Sequence, residues 1–330
     1  MSHDRPRIGI IGLGLSNPYT FARILKAEGA DVAYVWDYHR DAAEAFARGN
    51  GCEAVPTWQE LLKASLDGVL VESINADHCK LAKAFVEQGV PAYVEKPLSF
   101  DYEEAKDLLD TAVSNDCPIL SCSPLRFSPV FQEIARSVRE GRLGLPTLAH
   151  ARVIHTMHHF ATDPRKRWHD SLSLGGGMVV DIGVHAVELG YMMLGPGAAS
   201  VYCETSRVKY KDIESEDTAA ITIKFADGAI AVCDVVCATN ELEYSVMVNG
   251  SEDSIDSREL CAKLCNEGYG TPDGIGNALS AYGGFVETMR QFLKCIDRRC
   301  FPVPPLEMGE IVKILSAARA SAKQHSPVLI

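Results

Sequence analysis

Asp181 and His185 have the side-chain types and the spacing to do acid–base work on a small molecule, and Lys96 has the charge to assist it, with a solvated surface lysine as its plainer reading. Lys96 stands in Glu95-Lys96-Pro97, where an ammonium can stabilise negative charge developing on a substrate oxygen. Asp181 and His185 are four positions apart, a separation that puts two side chains on one face of a helix. Histidine titrates near neutral pH and a neighbouring carboxylate favours its charged form, so the pair can take a proton from a hydroxyl and hold it. On spacing alone, a core histidine satisfied by a structural aspartate is an equal reading.

A second grouping has the chemistry of a dinucleotide site. Gly12-x-Gly14 lies between an apolar strand and a helical pattern that opens at Asn17-Pro18. Glycines there let backbone amides, including that of Leu15, approach a pyrophosphate at the positive end of the helix. Asp37 follows about twenty residues after the glycines, where a carboxylate accepts hydrogen bonds from a ribose 2′-hydroxyl and repels a 2′-phosphate. NAD is therefore expected, with NADP possible because His39 and Arg40 are adjacent. Turn glycines with no ligand, and Asp37 as a helix cap, are the plainer alternatives.

Half of the ten histidines fall between His150 and His169. Together with Trp168, His155 and His159 offer hydrogen-bonding and stacking groups to a polyhydroxylated substrate. No carboxylate or cysteine completes a tight ligand set beside them, and Cys117-x4-Cys122 and Cys261-x3-Cys265 lack the paired spacing of a structural zinc site. No metal is expected.

Positioning these groups requires a scaffold. Strand-like runs at Arg7–Gly12, Asp31–Trp36, Gly68–Glu72, Ala92–Glu95 and Ile119–Cys122 alternate with helical patterns, which predicts a doubly wound parallel sheet over residues 1–122. Beyond it the pattern changes. Ile221, Ile223 and Phe225 alternate with polar residues, Asp227-Gly228 makes a hairpin turn, and Ile230, Val232 and Val236 continue the alternation. Residues 123–330 are expected to form a second domain on a mostly antiparallel sheet, closed by a helix over about 307–323 and serving substrate binding and oligomerisation.

The whole composition agrees with a folded globular chain. The 330 residues are 47% hydrophobic and carry a net charge of −12, which disfavours nucleic acid and anionic lipid as partners. No run approaches the roughly 18 apolar residues of a membrane span. The opening residues lack the apolar stretch of a signal peptide, and the eleven scattered cysteines do not form a disulfide framework. A cytoplasmic protein is expected.

Four motifs in order carry a resemblance: Gly-Ile-Ile-Gly-Leu-Gly at residues 9–14, Ser73-Ile74-Asn75-Ala76-Asp77-His78, Glu95-Lys96-Pro97, and the run from Gly175 to His185. They resemble the glucose-fructose oxidoreductase, inositol dehydrogenase and rhizopine-catabolism (Gfo/Idh/MocA) oxidoreductase family. The resemblance implies an N-terminal Rossmann domain and a C-terminal α/β domain with a large open sheet. It implies NAD(P)-dependent chemistry on a secondary alcohol of a sugar, sugar derivative or cyclitol. It places Ser73, Asn75, His78, Glu95 and Lys96 at the cofactor and Lys96, Asp181 and His185 at the reacting carbon. Arg126, in Arg126-Phe127-Ser128-Pro129, matches an arginine turn of that family and is a further substrate candidate or a structural residue. Ile74 and Asn17 depart from the family pattern, standing where a proline and a small residue are common. Family members that retain NAD while cleaving glycosides, and a non-catalytic NAD or sugar sensor, are the alternatives. Sheet packing between subunits implies a homodimer or homotetramer.

Overall fold

The computed structural model describes residues 5–14, 17–156, 163–266 and 282–330. Leu15 and His159 lie outside these described residues. The chain divides into two compact units, one built from residues up to Cys122 together with Val286–Gly309, the other from Ser123–Phe285 and Glu310–Ile330.

The first unit is built around β1 (Arg7–Ile11), whose Ile8, Ile10 and Ile11 are fully buried. An apolar run with no alternation is what a central parallel strand, covered on both faces, requires. Around it lie β2 (Asp31–Trp36), β3 (Glu53–Ala54), β4 (Gly68–Val71), β5 (Ala92–Val94) and β6 (Ile119–Leu120). All pairings are parallel, in the order β3-β2-β1-β4-β5-β6. The connections carry α1 (Asn17–Ala27), α2 (Arg40–Asn50), α3 (Trp58–Lys63), α4 (His78–Val86) and α5 (Tyr102–Ser114). The strand order reverses between β1 and β4, the switch point at which such sheets open a crevice beyond the strand carboxyl ends.

The second unit begins with α6 (Pro129–Arg139) and the long β7 (Pro146–Thr156), followed by α7 (Met178–Asp181) and α8 (Gly183–Leu194). Then come β8 (Ala198–Ser206), β9 (Thr218–Phe225), β10 (Ile230–Val236), β11 (Ala238–Gly250), β12 (Ser254–Asp256) and α9 (Ser257–Asn266). With β13 (Val328–Leu329) the strands form a seven-stranded sheet in the order β12-β11-β7-β10-β9-β8-β13. Only β7 and β10 pair in parallel within it. Strict burial alternation along β9 and β10 leaves Ile221, Ile223, Ala231, Cys233 and Val235 on the face that α8 covers. α8 is apolar almost all round and buried nearly throughout, as a helix enclosed in a core must be.

The second domain does not hold the whole of residues 123–330. α10 (Tyr282–Arg298) and α11 (Pro305–Gln324) follow α9, and Val286–Gly309 belongs to the first unit. The Phe292 ring lies 6.3 Å from that of Tyr93, and Arg299 donates to the Gly89 and Asp116 carbonyls at 3.0 and 2.8 Å. Arg290 pairs with Glu28 at 2.9 Å. An amphipathic helix covers whichever sheet its apolar stripe fits, and sequence position does not decide which. Among the described residues, no single helix is long and apolar enough to cross a membrane.

Candidate functional site

In the first unit the predicted cofactor residues collect at the carboxyl ends of the strands. Gly12 follows β1 with φ of +91°, and a Cβ there would lie 2.6 Å from the Glu72 carbonyl oxygen. Only glycine lets the turn pass this close to the end of β4. Asp37, buried at the end of β2, accepts from Leu13 N at 2.7 Å through Oδ2 and from His39 N at 2.8 Å through Oδ1. It therefore braces the glycine turn and does not cap α2, whose N-cap is His39 without a side-chain bond. A carboxylate has about four acceptor positions, so two remain for a ribose. The next residue, Tyr38, donates its hydroxyl to Asp77, and burial together with Asp77 pushes that phenol's pKa upward.

Beyond β4, Ser73 and Asn75 are buried. His78 is fully buried, with Nδ1 2.8 Å from the Pro97 carbonyl and Nε2 3.1 Å from the Ser73 carbonyl. Both ring nitrogens are thus engaged by backbone, and the imidazole ties the segment after β4 to the segment after β5. The Lys96-Pro97 peptide is cis. Lys96 is buried, and Glu95 beside it is fully buried, accepting from the Tyr93 hydroxyl at 3.0 Å and from the Asn17 side chain. Asn17, standing where a small residue is common, therefore bonds across from the start of α1 to the end of β5.

In the second unit the helix expected to carry both Asp181 and His185 is broken. α7 ends at Asp181, α8 starts at Gly183, and the segments on either side meet at 50°. Asp181 and His185 therefore do not share one continuous helix. Each residue has a partner of its own. Asp181 Oδ2 lies 2.6 Å from His169 Nδ1, both side chains being almost fully buried. His185 Nδ1 lies 2.7 Å from Ser123 Oγ, which also accepts from Leu125 N at 3.2 Å. Ser123 N donates to Glu188 Oε2 at 2.6 Å, and Arg126 Nε donates to Glu188 Oε1 at 2.5 Å. Arg126 thus forms a buried ion pair one helical turn beyond His185.

Trp168 is buried and stacks on His169, with ring centroids 3.6 Å apart and planes 27° apart. The triple glycine serves this packing, since a Cβ on Gly176 would run into the Trp168 and His169 carbonyls. His155, at the end of β7, has Nδ1 2.9 Å from the Thr156 carbonyl. Tyr244 on β11 stands between the two histidines, its ring centroid 6.4 Å from that of His155 and 5.7 Å from that of His185. Among the described residues no group of three His, Cys, Asp or Glu side chains is placed to hold a metal ion.

Ser123, Glu188 and Tyr244 were not identified from sequence, His169 was noted only as a member of the histidine cluster, and Glu72, which is fully buried beside Glu95, was not identified. For Glu72 a signal existed: a carboxylate directly after the apolar run Gly68–Val71. For the others the partners come from separate elements, as with Ser123 and His185, 62 positions apart.

Residues 6–122 match the family described as an oxidoreductase family with an NAD-binding Rossmann fold, and residues 131–256 match the GFO/IDH/MocA C-terminal domain. A myo-inositol 2-dehydrogenase of Thermotoga maritima is 24% identical over 334 residues, 98% of each chain. The uncharacterized oxidoreductase YrbE of Bacillus subtilis is 24% identical over 231 residues, 68% of this chain and 65% of that protein's length. The crystal structure of GenD2 from gentamicin A biosynthesis, in complex with NAD, superposes with a TM-score of 0.86 at 25% identity, covering 100% of this chain and 98% of that one.

Proposed function

The chain belongs to the Gfo/Idh/MocA oxidoreductase family with its NAD-binding Rossmann fold, and from that membership we propose that it transfers hydride between NAD and a secondary alcohol of a sugar, sugar derivative or cyclitol. The convergence of Gly12, Asp37, Asn75 and Lys96 at the carboxyl ends of β1, β2, β4 and β5 carries this reading. The residues fit the cofactor: the Gly12 turn admits no Cβ, and a strand-turn-helix of this kind presents amides to a pyrophosphate. NAD is preferred over NADP because Asp37 repels a 2′-phosphate, while the adjacent Arg40 is paired with Glu44 at 2.8 Å.

When bound, NAD supplies the hydride acceptor. The protein's part is charge and proton. Oxidation of an alcohol builds negative charge on its oxygen, which the Lys96 ammonium stabilises. His185 receives the hydroxyl proton on Nε2, since Nδ1 is held by Ser123. Asp181, fixed by His169, accepts a hydrogen bond from a substrate hydroxyl or orients the His185 imidazole. His155 and Trp168 remain candidates for the substrate side, and Arg126 acts through Glu188 to fix α8.

We further propose a cytoplasmic homodimer or homotetramer that takes a small-molecule substrate and has no nucleic acid or membrane partner. The test is a panel of sugars, sugar acids and inositols offered with NAD and separately with NADP, following absorbance of the reduced cofactor. NAD-linked reduction with a polyol is expected. Product formed without release of reduced cofactor would assign an NAD-retaining glycosidase in its place, and binding without turnover would assign a sensor.

A further inference from the structure

Glu72 and Glu95 are consecutive neighbours on the sheet. β4 and β5 pair in parallel with Val71 opposite Val94, and Glu95 N donates to the Val71 carbonyl at 2.9 Å. The next residues on the two strands, Glu72 and Glu95, therefore stand side by side about 4.8 Å apart along the hydrogen-bonding direction, on one face. Both are fully buried. Glu95 has donors: the Tyr93 hydroxyl at 3.0 Å, the Asn17 side chain and a backbone amide. Glu72 has none, since neither of its oxygens finds a hydrogen-bond partner among the described residues, and Glu95 Oε1 is likewise unsatisfied.

Two ionised carboxylates are disfavoured in such a place. An isolated buried charge is avoided by protonation, and like charges side by side reinforce that outcome. We propose that Glu72 and Glu95 hold a single proton carried on Glu72, making Glu72 a positioning residue that sets the charge balance around Lys96. Glu95 keeps the negative charge because the donors point at it, and the protonated Glu72 supplies an O–H for the unsatisfied Glu95 Oε1. With that proton in place, one carboxylate, one ammonium and one neutral acid sum to zero beside Lys96. Loss of the proton would leave a net negative charge there. Burial first, and then the Glu95 charge, raise the Glu72 pKa well above the usual carboxylate range, opposed by Lys96.

Among the described residues, the groups acting on the pair are Tyr93 on β5, Lys96 just beyond it and Asn17 at the start of α1, and Cys122, beyond β6, acts on Tyr93. His78 is held by backbone carbonyls. The effect on Lys96 rests on the proposed function, but the shared proton does not, and the experiment separates the two.

Infrared spectra of the wild-type protein at neutral pH should show the C=O band of a buried protonated carboxyl group, fading as pH rises. That band should be absent from Glu72→Gln. The stability of the variant should move with it. The folded wild type retains a proton that an unfolded glutamate, with a pKa of about 4.3, has released, so this contribution is fully present below that value and is lost as pH rises through the folded-state pKa. Glu72→Gln, which has no proton to lose, should therefore gain in unfolding midpoint over wild type as pH is raised. The kcat pH profile should in turn lose the transition that the wild-type band follows. A wild-type protein with no such band at neutral pH overturns the proposal, and that titration decides even if the variant does not fold. A band that titrates in a protein without any NAD-linked turnover would contradict the proposed function and leave the shared proton standing.

Discussion

His169 Nδ1 lies 2.6 Å from Asp181 Oδ2, and neither side chain exposes more than 1% of its surface. The carboxylate assigned to the substrate is thus oriented from behind by an imidazole that is itself stacked under Trp168. Removing one partner of a buried pair leaves the other uncompensated, at a cost of about 3–5 kcal/mol. His169→Ala should lose stability of that order in urea unfolding, and His169→Asn, which keeps a donor, should lose less. Equal losses would show that packing against Trp168, and not the bond to Asp181, accounts for the position of His169.

Ser123 fixes the other imidazole. Its hydroxyl is 2.7 Å from His185 Nδ1, so Ser123→Ala removes one buried hydrogen bond, about 1 kcal/mol. The kcat on a verified substrate should fall by roughly five- to tenfold with KM little changed. An unaltered kcat would show that this hydroxyl does not set the proton position on His185.

Asp37 carries two duties, bracing Leu13 N and His39 N and, in the proposed complex, accepting from a ribose. Asp37→Ala should weaken NAD by on the order of tenfold or more, since hydrogen bonds to charged groups contribute about 1.5–3 kcal/mol. NADP should be weakened less. Calorimetry showing that the wild type already prefers NADP would contradict the role of Asp37.

The strands and helices of the first unit were legible because their signals are local: an unbroken apolar run, a glycine turn, an acidic residue after the second strand. The seven-stranded sheet was legible from alternation around Asp227-Gly228. Legibility stopped where the information lies in tertiary contacts. Four-residue spacing suggested a single helix through Asp181 and His185, and the backbone breaks at Ile182. Their partners sit 12 and 62 positions away, and no periodicity reports such distances. His78 was legible from its motif, but the backbone carbonyls of Pro97 and Ser73 at its two ring nitrogens were not. Val286–Gly309 joins the first unit because of what its apolar stripe meets, which the stripe itself does not disclose.

Assembly offers a separate test. The face of the seven-stranded sheet away from α8 carries half-buried Tyr202, Val232 and Val236 beside the His150–Asp234 pair at 2.8 Å. A mixed face of this kind suits contact with a second copy. Light scattering at micromolar concentration should give a mass of at least two chains; a mass of one chain would remove the dimer or tetramer from the account.

The most direct measurement is the turnover of Lys96→Ala and His185→Ala on a verified polyol substrate, with NAD affinity followed in parallel by calorimetry. If the ammonium stabilises the developing oxygen charge and the imidazole takes the proton, each variant should lose kcat by on the order of 10²-fold or more, with NAD binding retained by His185→Ala. Near-normal kcat in both variants, with NAD affinity unchanged, would contradict the assignment of the catalytic group and favour a binding role for the protein.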